Sequence, residues 1–149
     1  MKPSAHVWLH RTCGTWRSER RYLFGPNAQP VNLTTHMEIR PGDRSNQFTI
    51  RWDGKTRGTM DIELDGNVLV RSRDYFGDGA HHSDVEMVDD DAIVFTTNYD
   101  GTTYREEIRL LSHDQYRLRQ TFGYDSRGAM KLVGQYYEAR SPLPSNFYQ

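Results

Sequence analysis

The sequence predicts an all-β chain, an antiparallel up-and-down barrel of about ten strands behind one short helix. Three observations predict it. Turn signals recur at short intervals: Arg40-Pro41-Gly42-Asp43, Asp53-Gly54, Asp65-Gly66, Gly77-Asp78-Gly79, Asp89-Asp90-Asp91, Asp100-Gly101 and Ser126-Arg127-Gly128. Asp-Gly between alternating runs marks a hairpin, because glycine tolerates positive φ. The runs between these turns have period two, most cleanly in Phe48 to Trp52 and Thr59 to Leu64. No second long helical pattern interrupts them, so the meander closes on itself or packs on a second sheet.

The helix comes first, over Ser4 to Cys13. Ser4 follows Pro3 as its N-cap, Gly14 stops it, and Val7, Trp8 and Leu9 form its buried side. Strands are then expected over Thr15 to Phe24, Thr34 to Arg40, Phe48 to Trp52, Thr59 to Leu64, Val68 to Tyr75 and His82 to Val88. Four more follow over Ala92 to Tyr99, Thr103 to Leu111, Gln115 to Tyr124 and Lys131 to Arg140. The whole, residues 1–149, reads as one domain, with 141–149 an extended tail.

Composition narrows the function. Hydrophobic residues make up 36% and charged residues 26%, which suits a thin-walled barrel better than a solid core. The net charge of −1 supplies no basic field for nucleic acid. No run is apolar enough to span a bilayer and the opening residues carry no signal-like stretch, so a soluble cytoplasmic or organelle-stromal protein is expected. Cys13 is the only cysteine, which excludes an internal disulfide. Three tryptophans, nine tyrosines and six phenylalanines provide surface for a flat ligand.

Candidate chemistry lies in two places. Gly14-Thr15-Trp16 after a helix resembles the entry pattern of lipocalin-like barrels, where the tryptophan plugs the closed end under a late arginine, for which Arg140 is the candidate; the triplet alone equally fits a core tryptophan at a strand start. The runs Tyr104 to Leu111 and Tyr116 to Phe122 hold the second candidate. Glu107 shares a face with Arg105 and Arg109, while Arg117, Arg119 and Thr121 share a face of the next strand. Coincident faces would bring carboxylate, guanidinium and hydroxyl together; otherwise these residues form a solvated face of weak ion pairs. No metal site is expected. His81 and His82 are strand neighbours pointing apart, and His6 and His10, spaced i, i+4, lack a third ligand. No Ser-His-Asp signature or phosphate-cradling motif is present.

Four stretches resemble the S/U-type phycobiliprotein lyases, a lipocalin-like family. They are Gly14-Thr15-Trp16-Arg17-Ser18-Glu19-Arg20; Trp52-Asp53-Gly54 with Gly58-Thr59-Met60; Tyr99-Asp100-Gly101 followed by Glu106-Glu107-Ile108-Arg109-Leu110 and then Tyr116-Arg117-Leu118-Arg119; and the closing run Val133 to Arg140. The chain departs from the family where Gln120-Thr121 follows Arg-Leu-Arg in place of Thr-Ser. The resemblance implies an enzyme, a chaperone-like bilin lyase. It would bind phycocyanobilin or phycoerythrobilin as substrate and promote a thioether to a cysteine of a phycobiliprotein α or β subunit. No prosthetic group is implied. A related lyase subunit or a second copy is an implied partner, in a cyanobacterial cytoplasm or plastid stroma. By resemblance Glu107 is catalytic with Arg117 beside it, and Trp52, Arg71, Arg119 and Thr121 contact the bilin.

Two other readings compete. A carrier of fatty acid or haem without chemistry requires a more apolar interior and, for haem, an inward histidine such as His36. An interaction module with a filled barrel requires no cavity for a tetrapyrrole.

Overall fold

A computed structural model describes residues 2–72 and 82–148. The expected ten-stranded barrel is present. Helix α1 (Ala5–Arg11) precedes β1 (Gly14–Leu23), β2 (Val31–Pro41), β3 (Gln47–Asp53), β4 (Arg57–Asp65) and β5 (Val68–Arg71). Then come β6 (His82–Met87), β7 (Ala92–Tyr99), β8 (Thr102–Leu111), β9 (Tyr116–Asp125) and β10 (Met130–Arg140). Every strand pairs antiparallel with its chain neighbours, and β10 returns to pair with β1, which closes the barrel. The Gly77-Asp78-Gly79 turn, the end of the strand expected to reach Tyr75, and His81 lie outside the described residues.

Helix α1 closes one end. The Ser4 hydroxyl caps it by accepting from Val7 N. Trp8 and Leu9 are buried in the barrel core, whereas Val7, expected beside them, faces solvent. The reason is helix length: seven residues give one narrow buried stripe. Three hairpin turns are tied to the helix. Trp8 Nε1 donates to the Asp91 carbonyl at 2.8 Å, and Arg11 forks onto Asp114 and Asp91 at 2.7 Å each. His6 and His10 each place Nε2 2.7 Å from the Ser45 carbonyl. The mouth therefore lies at the other end, among the turns after β1, β3, β7 and β9.

The Gly-x-Trp reading holds. Trp16 is fully buried, donates to the Thr12 carbonyl at 2.9 Å, and lies under Arg140, whose guanidinium carbon is 3.9 Å from the ring centroid. Arg140 also donates to the carbonyls of Cys13, Arg11 and Asp114. Gly14 has φ +132°, and a Cβ there would collide with the Arg140 guanidinium, so glycine meets both backbone and space requirements. Arg140→Ala strands three carbonyls and is expected to cost about 2–4 kcal/mol in a urea titration. Arg140→Lys recovers only part, because an ammonium cannot spread over three acceptors and a ring.

The tail does not trail away as an extended segment. Phe147 is buried, Tyr148 donates to Glu38, and the Arg51 guanidinium sits 4.4 Å from the Tyr148 ring centroid. Apolar burial and a cation–π contact hold it against the outer face of β2 and β3.

Candidate functional site

Period-two alternation sends every second side chain inward. The interior divides into two walls around a cavity of about 120 Å³. One wall is apolar, with Met37, Ile39, Ile50, Met60, Ile62 and Phe95. The other is polar and comes from β1, β10, β9 and β8. There the register sets Arg20 beside Tyr136, Tyr136 beside Arg119, Glu138 beside Arg117, and Thr121 beside Glu106.

The deepest pair is Arg117 and Glu138, 3.1 Å apart and both almost wholly buried. Burial acts to raise the Glu138 carboxyl, but Arg117, Arg119 and Arg20 outweigh it and hold the group below the usual carboxylate range. Burial likewise pulls the Arg117 guanidinium down from its ordinary value. Nearer the mouth, Glu106 Oε2 accepts from Arg119 Nη2 at 2.9 Å and from the Thr121 hydroxyl at 3.3 Å. Tyr136 packs under Arg119 with 4.3 Å from guanidinium carbon to ring centroid, and burial pushes its phenol well above the ordinary range. Gly134 makes room for it, since a Cβ there would come within 2.8 Å of the Tyr136 hydroxyl. Among the described residues, four interior guanidiniums (Arg20, Arg71, Arg117, Arg119) share this interior with two carboxylates (Glu106, Glu138).

The structure brings five of the six expected residues to this cavity. Arg117, Arg119 and Thr121 lie on the polar wall, and Trp52 and Arg71 line the space from β3 and β5. Trp52 lies against Gly58, where a Cβ would overlap the indole. Glu107 is not among them. It pairs with Gln120, points outward, and meets Arg105 at 3.7 Å on a solvated surface. The two faces that would have had to coincide do not, and the inward carboxylate on β8 is its neighbour Glu106. The phase was available: Tyr104, Glu106, Ile108 and Leu110 alternate together, and the two aliphatics mark the inward side. Arg20, Tyr136 and Glu138 also escaped sequence reasoning. Glu138 was two residues from Arg140, whose position over Trp16 fixes the phase of β10.

His36 neighbours inward Met37 and opposes Asp53 on the outer face, so it offers no axial ligand within the barrel. Among the described residues, no histidine lines the cavity and no three His, Cys, Asp or Glu groups gather as a metal site. Cys13 lies at the helix end, and burial raises its thiol above the ordinary value.

A family model described as CpeS-like protein matches residues 58–141, more than half of the chain. The chain belongs to this family. The matched stretch carries Arg71, Glu106, Arg117, Arg119, Thr121 and Glu138. The fold of this CpeS-like protein is similar to that of the S-type phycobiliprotein lyase CpeS of Guillardia theta. Identity is 18%, the TM-score is 0.77, and the match covers 95% of this chain and 94% of the other. It is also similar to a protein of unknown function from the DUF3598 family of Nostoc punctiforme, at 15% identity and a TM-score of 0.68. There the match covers 89% of this chain but only 49% of the longer one. No curated protein matches the sequence. Among the described residues of the CpeS-like chain, no helix is long and apolar enough to cross a membrane.

Proposed function

We propose that this CpeS-like protein is a phycobiliprotein lyase. It takes phycocyanobilin or phycoerythrobilin into the mouth of the barrel and promotes its thioether attachment to a cysteine of a phycobiliprotein α or β subunit. The observation that carries this reading is the polar wall: Glu106 held by Arg119 and Thr121, in an interior that is also lined by Arg20, Arg71 and Arg117. A bilin brings two propionates and a row of pyrrole N–H groups. Guanidiniums match carboxylates with charge-assisted, forked bonds. A carboxylate at the pyrrole nitrogens favours the protonated tetrapyrrole. The apolar wall accepts the ring faces.

The cavity sets the pose. Sites for ligands of this size class hold roughly 300–1,000 Å³, whereas this one holds about 120 Å³. The bilin therefore enters in part, and the remainder lies across the mouth. Rate enhancement comes from holding one conformation and one face toward the acceptor thiolate, with Glu106 positioned to manage a proton. Fatty acid carriage explains the wall less well, since an alkyl chain has no row of N–H groups to meet the Glu106 carboxylate.

An absorption titration with both bilins, followed by incubation with apo-subunits, tests the proposal. The expected result is a sharpened, red-shifted band and then a covalent adduct. Absence of any band with either bilin would remove the reading.

A further inference from the structure

Helix α1 packs over the barrel end beyond Trp16, so a ligand enters from the opposite end, and about 120 Å³ does not take a tetrapyrrole whole. The bilin ring that reacts must also stay where a thiolate on a folded acceptor can reach it. Both conditions place the reacting ring at the rim. Part of that rim already presents a flat aromatic surface. Phe24, one residue past β1, is 60% exposed, and its ring stacks on Tyr22 with centroids 5.7 Å apart and planes 27° apart. Tyr22 in turn meets Tyr136 edge-on at 5.5 Å, and its hydroxyl lies 3.5 Å from Arg20 Nη1. Tyr136 touches Arg119, which holds Glu106. One series of rings thus runs from the polar wall to the mouth and ends on a ring left in water. A single exposed apolar residue needs no explanation. An exposed phenylalanine that terminates an aromatic series leading into a site leaves one stacking position unfilled.

We infer that Tyr22 and Phe24 form a stacking shelf that holds the reacting terminal ring of the bilin at the rim; this rests on the bilin reading above. The shelf is a positioning device. The acceptor thiol adds across the exocyclic ethylidene double bond, one C–S and one C–H bond form, the thiol proton accounts for the latter, and nothing leaves. Stacking fixes which face of the ethylidene meets the sulfur.

The test compares the whole protein with Phe24→Ala, Phe24→Tyr and Val88→Ala, the last an exposed apolar control in the turn between β6 and β7, at the closed end. Phe24 is exposed, so thermal midpoints should agree. Phe24→Ala is expected to weaken bilin binding about tenfold and to yield a mixture of adducts in the transfer assay. Phe24→Tyr and Val88→Ala should behave as wild type. A wild-type band with an unchanged dissociation constant and a single adduct in Phe24→Ala would overturn the shelf alone. No band with wild type would overturn the bilin reading and the shelf with it.

Discussion

Glu106→Gln is expected to abolish the red-shifted bilin band and slow chromophore transfer about a hundredfold, while Glu107→Gln, one residue away, leaves both unchanged. The two side chains differ only in strand phase. Glu106 opposes Thr121 and lines the cavity, and Glu107 opposes Gln120 and meets solvent. Glutamine at 106 keeps the volume but removes the charge. The Arg119 guanidinium then loses its 2.9 Å ionic acceptor and keeps the more distant Glu138, and a protonated tetrapyrrole loses its counter-charge. A hydrogen bond to a charged group contributes about 1.5–3 kcal/mol, so affinity should fall about ten- to a hundredfold. Absorption titrations of the two variants, with transfer to an apo-subunit as second readout, decide the matter. Loss of the band in Glu107→Gln, with Glu106→Gln behaving as wild type, would place the ligand outside the barrel.

This pair of glutamates also shows where sequence reasoning succeeds and fails. The strands were legible because Asp-Gly turns and period-two runs are local signals. Ala92–Tyr99 fell on its expected bounds, and most other described strands shifted by a residue or two. The plugged end was legible because Gly14, Trp16 and Arg140 each satisfy a strict requirement of that junction. The site was legible in residue type but not in phase. Strand β9 inverts the usual pattern: Arg117, Arg119 and Thr121 face in, while Leu118 and Phe122 face out. A binary hydrophobic code read on β9 points the wrong way, and β8 offers two adjacent carboxylates. On β8 the buried aliphatics Ile108 and Leu110 share the phase of Glu106 and select it, whereas on β9 the facing arginines are placed inward only by cross-strand register. Glu138 was hidden for a related reason, since an acidic residue in a closing strand reads as solvent-facing until its arginine partners are placed.

Removing Glu138 is expected to unsettle the whole barrel. The carboxylate is fully buried against Arg117, itself 4% exposed, with Arg119 3.9 Å away. Deleting one member of such a pair leaves an uncompensated buried charge, at a cost of about 3–5 kcal/mol. For a chain of this length that lowers the thermal midpoint by roughly 10 °C or more. The pH dependence follows from the direction of the shift. Glu138 is held below its ordinary range in the folded protein, so folding is favoured by its ionisation. That contribution is complete above the unfolded value of about 4.3 and is lost as pH falls through the lower folded value. Urea midpoints of wild type and Glu138→Gln should therefore differ at neutral pH and converge below pH 4, the variant showing the shallower acid slope. Equal stability at neutral pH would sink the assignment. The double variant Arg117→Met with Glu138→Leu separates architecture from chemistry: well-packed apolar replacements of a buried pair are often neutral or stabilising. Its barrel should recover wild-type stability, while its bilin band weakens because the cavity has lost the Arg117 guanidinium and, with it, one match for a propionate.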